Sequence, residues 1–499
     1  MINSLRFSFV RTNESAFTAG ETAPLNLIGA GRQDASINAG GVVGQIGADG
    51  VIPFFQIQNK FTLADDIDWE HGSHSTQAGL SVVRVQTNIS APFSEGGEFS
   101  FGTLENFLNG FPVSMLGMSA PSPDFTTNRY FREIDLFPYF QDNWKVTPRL
   151  TVNLGLRYDY ATNAVGKSVP LYAITDPLTS TAFTRVDHVL ASNPNVLNFD
   201  PRFGLAFDPF KDHKTSIRAG FGIFHEPVAA RTYASAYYLA PPSATTILLN
   251  GALFGGPPMD LLHPYTGFAL PYTQFAGIDY HTDTSPYVMQ YNLTIQREIG
   301  SGITATVAYV GSSGVHLFSQ RDQNLTKGIP AGTGPIGSPT NPFSGVETNP
   351  SFSSVNNAAA SSHSTYHSFQ ASLNRQLRNN LVFQASYTWS KCIDDGSATT
   401  SLEQGSYAVG NPYNQGYDRG PCTFNIGQTF RINAVYAFPF KGSRLLTGWQ
   451  LSGIAGVTSG LPVNIQTGVF RTNLIGVQGD RPNHSNAPGC SPDHITGSP

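Results

Sequence analysis

Two stretches of this sequence gather residue types that do chemistry. Asp65–Ser75 reads DDIDWEHGSHS and brings together Asp65, Asp66, Asp68, Glu70, His71 and His74. Carboxylate oxygens and imidazole nitrogens at that density are what divalent metals bind. The run also alternates as a strand would, and a strand sends neighbouring side chains to opposite faces. Asp66, Asp68 and Glu70 are therefore expected on one wet face with the histidines at a turn, and no metal is assigned. ATNAVGKS at Ala161–Ser168 has the tail of a phosphate-cradling loop. Ala161 stands where the first Gly belongs, and Pro170 sits where the supporting helix would begin. It reads as a surface loop.

No GxSxG, HExxH or CxxC occurs, so neither a catalytic group nor a cofactor site is assigned and the chain is not read as an enzyme. Of the three cysteines, Cys392 ends one predicted strand and Cys422 precedes the next. Adjacent strand ends lie within bonding reach, so we expect a Cys392–Cys422 disulfide in an oxidising compartment, with Cys490 left over.

The element that best shows how such residues are positioned is Tyr139–Tyr160, YFQDNWKVTPRLTVNLGLRYDY. Leu150, Val152, Leu154, Leu156, Tyr158 and Tyr160 share one face; Thr151, Asn153, Gly155, Arg157 and Asp159 share the other. Unbroken period two predicts a strand, here roughly 36 Å long at about 3.3 Å per residue. Tilted by about 45°, it still crosses the ~25 Å apolar band of an outer membrane. Thr147-Pro148-Arg149 predicts the tight turn that pairs it with the strand before.

The rest of the chain repeats this unit. Thirteen long strands are predicted, at about 5–11, 57–69, 76–87, 129–146, 150–160, 200–209, 214–225, 286–298, 303–311, 364–377, 381–391, 424–438 and 446–466. Short turns fall at His71–Ser75, Thr147–Arg149, Phe210–His213, Ile299–Gly302, Arg378–Asn380 and Phe440–Arg444, and long Gly-, Ser-, Asn- and Pro-rich segments lie between those hairpins. Alternating short and long connections fit a barrel with turns at one membrane surface and loops at the other. The loops are expected to be irregular and to do the recognising.

Composition agrees. Charged residues are 13% against a usual ~25%, while Phe (35), Tyr (20) and Gly (50) are abundant. No uncharged apolar run approaches the ~18 residues of a membrane helix, which leaves strands as the way across. A net charge of −5 carries no nucleic-acid footprint.

FQDNWKVTPRLTVNLGLRYDY resembles the barrel signature of TonB-dependent outer-membrane receptors, in particular the Oar-like barrels. DPRFGLAFDPF (Asp200–Phe210), SPYVMQYNLTIQREI (Ser285–Ile299), SYTWSK (Ser386–Lys391) and GWQLSGIAGVTSGLP (Gly448–Pro462) extend the likeness from about Leu5 to Pro462. The resemblance implies an all-β, antiparallel transmembrane barrel of 22 strands with an N-terminal plug, residing in a Gram-negative outer membrane. It further implies energised uptake of an extracellular ligand through contact between that plug and the TonB complex. We expect this chain, residues 1–499, to be one partial barrel domain, with the plug, signal peptide and closing strands outside it. Arg157, Asp159, Arg218 and Arg431 are the candidate lumen contacts for the unknown ligand, set against the plainer and preferred reading that they belong to a water-facing wall that balances charge. The alternative is a surface adhesion or structural barrel that binds through its loops and moves nothing.

Overall fold

The computed structural model describes residues 1–16, 36–39, 43–47, 54–91, 97–112, 114–119, 126–238, 240, 245–250, 272–300, 302–324, 348–378, 380–397, 416, 419–442, 445 and 447–463. Thirteen long strands form its frame: β1 (Ile2–Ala16), β2 (Phe54–His71), β3 (His74–Ser90), β4 (Arg129–Thr147), β5 (Leu150–Tyr158), β6 (Phe199–Phe207) and β7 (Thr215–His225), followed by β8 (Tyr287–Gly300), β9 (Ile303–Asp322), β10 (Phe352–Arg378), β11 (Leu381–Asp394), β12 (Gln428–Ala437) and β13 (Gln450–Thr458). Each pairs antiparallel with the next in one sheet. Among the described residues the sheet is open between β13 and β1. All thirteen predicted strands are present.

Residues paired directly across a sheet share a face, so register decides whether each strand's alternation adds to its neighbour's or cancels it. Here it adds. Val152, Leu205, Ala219, Leu293, Tyr309, Phe369 and Trp389 form one continuous row across seven strands. One position along, Asn153, Gly204, Gly220 and Asn292 make a polar row on the opposite face. The apolar rows are exposed: Leu63, Phe140, Leu156, Tyr309 and Trp389 all stand on the surface. No helix among the described residues is long and apolar enough to cross a membrane. An apolar outer face on strands this long is a lipid-facing wall.

Several strands overrun the apolar band. β10 has 27 residues and β9 has 20, where about 11 suffice to span it. The sequence pattern ends β9 at 311 and begins β10 at 364, because alternation stops there. Beyond the lipid no strict alternation is demanded: SSGVHLFSQRD pairs with Asn356–Tyr366, while Phe352 and Val355, both fully buried, pair instead with Tyr272 and Gln274. β12 begins at Gln428 and not at 424, and β13 is confined to Gln450–Thr458.

The long connections are more ordered than expected. Ser36–Ala39, Val43–Ile46, Glu98–Phe101, Ser114–Ser119 and Thr245–Asn250 build a separate five-stranded sheet. The segment between β7 and β8 forms a helix, Ala230–Tyr238. Ala230, Tyr233, Ala234 and Tyr237 recur at helical spacing and are buried against Ile89 of β3 and Phe131 of β4, both on the polar inner side of the sheet. Phe131 packs edge-on to Tyr233 (5.1 Å) and Tyr237 (6.1 Å). The Tyr237 hydroxyl donates to the Val189 carbonyl, and burial pushes both phenols well above their ordinary pKa. This core thus sits inside the mouth of the wall, with a loop helix folded inward as its centre.

Lower on the inner face, Arg6 of β1 pairs with Asp66 of β2, whose other oxygen accepts from the Tyr139 hydroxyl of β4 at 2.7 Å. Asp66 and Tyr139 meet over Gly79 of β3. A Cβ there would lie 2.3 Å from Asp66 Oδ1 and 2.6 Å from the Tyr139 ring. Gly79→Ala is expected to cost about 1–3 kcal/mol, through displacement of this pair. Heat-modifiability on gels checks it: the variant should lose its folded band at lower temperature, and an unchanged midpoint rules the packing argument out.

Candidate functional site in the outer cap

The connections opposite the short turns meet in a cap over the inner face. Asp200 at the start of β6 is buried; its carboxylate accepts from the His225 N–H at 3.0 Å, and the His225 ring Nδ1 lies 2.6 Å from the same oxygen. Register sets Asp200 opposite Arg157, which pairs with Asp159 and lies over the Phe137 ring at 4.6 Å. Nearby, Ser285 donates to Asn195 Oδ1 (2.7 Å) and accepts from Asn198 Nδ2 (3.2 Å). This buried polar network ties the base of two long connections to the wall.

Above it lies a cavity of about 500 Å³ lined by parts of four segments. Asp176 comes from the β5–β6 connection, Asp279, Thr282 and Asp283 from the approach to β8, Arg321 and Asp322 from the overrun of β9, and Ala359–Ser361 from that of β10. Most of the carboxylates also shape their own segments. Hydrogen bonds from Thr179 Oγ1 (2.7 Å) and the Leu178 N–H (2.9 Å) hold the Asp176 carboxyl below the ordinary carboxylate range. Asp279 accepts from Gln323 Nε2 (2.7 Å) and the His281 N–H (3.0 Å); Asp322 Oδ1 accepts from the Asn324 N–H (3.0 Å) and the Val355 N–H (3.1 Å). Asp283 is exposed and bonds to none of the described residues, while Thr282 is 5% exposed and its Oγ1 has no partner among them.

The structure brings together two of the four residues named from sequence. Arg157 and Asp159 are an ion pair on the inner wall. Arg218, opposite Ala206 and Thr294, and Arg431, opposite Ser386 and Gly456, share that face but stand on strands far apart in the sheet order. Arg431 lines a recess of about 520 Å³ between β11, β12 and β13. None of the four lines the cap cavity, whose residues lie in connections that carry no periodic signal.

The acidic run at Asp65–Ser75 is dispersed by the pleat. Asp66 points inward, Asp65 accepts from Asn3 Nδ2 at 2.7 Å, His71 stacks on Trp69, and His74 stacks on Trp144. Among the described residues no group of three His, Cys, Asp or Glu could hold a metal ion. At Ala161–Ser168 the backbone pairs with β4 at Val165 and Gly166, and a short strand, Leu171–Ala173, follows where a phosphate loop needs a helix. Cys392 and Cys422 are joined as a disulfide with Cα atoms 5.4 Å apart. Cys490 lies outside the described residues.

Residues 1–498 match the family described as outer membrane beta barrel domain. No curated protein matches the sequence. Among solved structures, the outer membrane transporter YddB from Escherichia coli is similar at 12% identity and a TM-score of 0.50, over 87% of this chain and 46% of that one. The pyoverdine outer membrane receptor FpvA from Pseudomonas aeruginosa (12%, 0.43, 91% and 47%) and the siderophore receptor PirA from Acinetobacter baumannii (12%, 0.42, 87% and 45%) also match. The likeness to YddB is one of fold alone. The chain spans about half the length of these proteins.

Proposed function

The chain belongs to the outer membrane beta barrel domain family of the Gram-negative outer membrane, and from that premise we propose that it forms the wall and outer recognition cap of a TonB-dependent type receptor. In this reading the cap captures a ligand from outside the cell, and the complete receptor moves it inward with energy from the inner membrane. A plug domain supplies the TonB contact. The observation that carries the reading is the asymmetry of the two rims. Tight turns close one, while the connections at the other fold into a buried core and a polar cavity above an inward-facing polar wall. A merely structural barrel gains nothing from a helix tucked into its own mouth.

Orientation is the first test. In a Cys490→Ser background, Leu197→Cys in the cap is expected to react with a membrane-impermeant maleimide on whole cells, and Lys211→Cys in a short turn is not. Leu197 is 75% exposed, so silence there with labelling at Lys211→Cys inverts the topology and ends the reading. Transport is tested by ligand accumulation in cells carrying the whole gene. Uptake abolished by collapsing the proton gradient is the expected result; binding without accumulation favours adhesion.

A further inference from the structure

We propose that the lipid-facing side of β1–β4, at the edge nearest the cap, binds the phosphate groups of outer-leaflet lipopolysaccharide through Arg11, Arg84, Arg132 and Lys167. Register assembles the patch. Phe7, Leu63, Val82 and Leu136 form one row on that side, and Phe9, Phe61, Arg84 and Ile134 form the next row towards the cap. In the row above, Arg11, Asn59, Gln86 and Arg132 replace hydrocarbon with cations and amides. Val165 pairs with Arg132, and the Lys167 N–H donates to the Tyr130 carbonyl at 2.8 Å, which puts the lysine of the ATNAVGKS run on the same face. Arg84 and Lys167 each stand on a diagonal from Arg132, about 7–8 Å away across the sheet.

Positive charges gathered this closely repel one another until an anion joins them. None of the four forms an ion pair among the described residues. Glu133 and Asp135 flank this stretch of β4 but alternate onto the inner face, where Glu133 accepts from Tyr233 of the cap helix. At the opposite boundary the same face of β1–β4 carries Asp65 and Asp142 and neither Lys nor Arg. The cations therefore collect only where the apolar rows end on the cap side. An occupant has to meet guanidinium groups and hydrocarbon at once. A phosphorylated lipid does both: its acyl chains lie along Phe7, Phe9 and Leu63, all exposed, and its phosphate reaches the row above. A free anion satisfies only the upper half. Guanidinium groups bind phosphate in a two-pronged fashion. Arg132 is already aimed, since its Nη1 donates to Asn88 Oδ1 (2.9 Å) and to the Phe131 carbonyl (2.7 Å). Arg11 and Arg84 are exposed.

Native mass spectrometry of the full-length protein, delipidated in detergent and titrated with bisphosphorylated lipid A, tests this. Saturable binding of lipid A is expected, and none of its dephosphorylated form. Arg84→Gln/Arg132→Gln should weaken binding by about tenfold, the ordinary worth of one charge-assisted hydrogen bond. Lys211→Gln, the same loss of charge in a short turn at the other rim, should leave it unchanged. If the double variant loses its folded band on gels, Arg84→Gln alone decides. That exposed side chain makes no hydrogen bond among the described residues, and its loss should weaken binding about three- to fivefold. Equal binding of dephosphorylated lipid A, or unchanged affinity in these variants, overturns the proposal. Displacement of lipid A by inorganic phosphate also overturns it, by making the patch a site for free anions. These readings need no transported ligand and no energy source, so failure here leaves the receptor reading standing, and failure of uptake leaves this proposal standing. Labelling at Lys211→Cys in place of Leu197→Cys would turn the patch towards the inner leaflet and sink both.

Discussion

Phe131→Ala is expected to release the Ala230–Tyr238 helix from the wall and leave the wall intact. Phe131 is 1% exposed and is the one ring that the inner face of β4 offers to both buried tyrosines of that helix. Truncating a buried Phe costs about 3–5 kcal/mol, from lost apolar burial plus the cavity left behind. The helix contributes little of its own, because nine residues are too few to hold helical structure in water. Its docking and its folding are therefore one equilibrium. A cost of that size raises the undocked fraction by about two to nearly four orders of magnitude. Trypsin reports it through the bond after Arg231, inside the helix. On intact cells the parent should resist and Phe131→Ala should be cut there. Phe140→Ala is the control: that ring lies on the same strand but stands 54% exposed on the lipid side, and its loss should leave Arg231 protected. Equal resistance in both variants would mean the cap is held by something other than this contact.

The same contact shows where the sequence was readable and where it was not. A lipid-facing strand declares itself because hydrocarbon demands an apolar residue at every second position. Leu150–Tyr158 and Leu381–Asp394 could hardly be read otherwise. Once the chain leaves the bilayer, that demand stops. The overruns of β9 and β10 have the backbone of strands without the pattern, so they read as loop. The helix did leave a trace: Ala230, Tyr233, Ala234 and Tyr237 repeat at three and four. Against a background of Gly- and Pro-rich loops, about two turns of periodicity are too few to stand out.

The site was legible in proportion to how far the wall supplied it. Arg157 and Asp159 were found because alternation put them on the wet face; Asp200 shares that face, but a carboxylate at a strand start gives no hint of the His225 it will hold. Asp176, Asp279, Thr282 and Asp322 are separated by up to 146 positions (322 minus 176) and are gathered only by tertiary folding. No local rule connects them. The acidic run at Asp65–Ser75 fails for the converse reason: closeness in sequence, along a strand, is separation in space.

Reducing the Cys392–Cys422 bridge is expected to loosen the connection between β11 and β12 by about 3–4 kcal/mol, the loop-closure worth of cysteines 30 residues apart. The surroundings favour a bridge. Both sulfurs' residues are buried, the Cys422 N–H donates to the Cys392 carbonyl at 3.1 Å, and Asn425 Oδ1 accepts from the Cys392 N–H at 2.8 Å. Gly420 and Pro421 continue the pairing onto Asp394 and Ile393. That backbone framework persists without the bond, so the reduced thiols stay shielded and alkylation must be done on denatured protein. Protein taken from the outer membrane without reductant should then take up one alkyl group, at Cys490, and three after reduction. Hydrogen exchange gives the energetic half. The Cys422 and Asp394 amides should exchange on the order of a hundredfold faster after reduction, while those of Phe383–Tyr387 in the wall hold their rate. Three alkyl groups without reductant would remove the bridge, and with it the reason these two strand ends stay closed beneath the loop they carry.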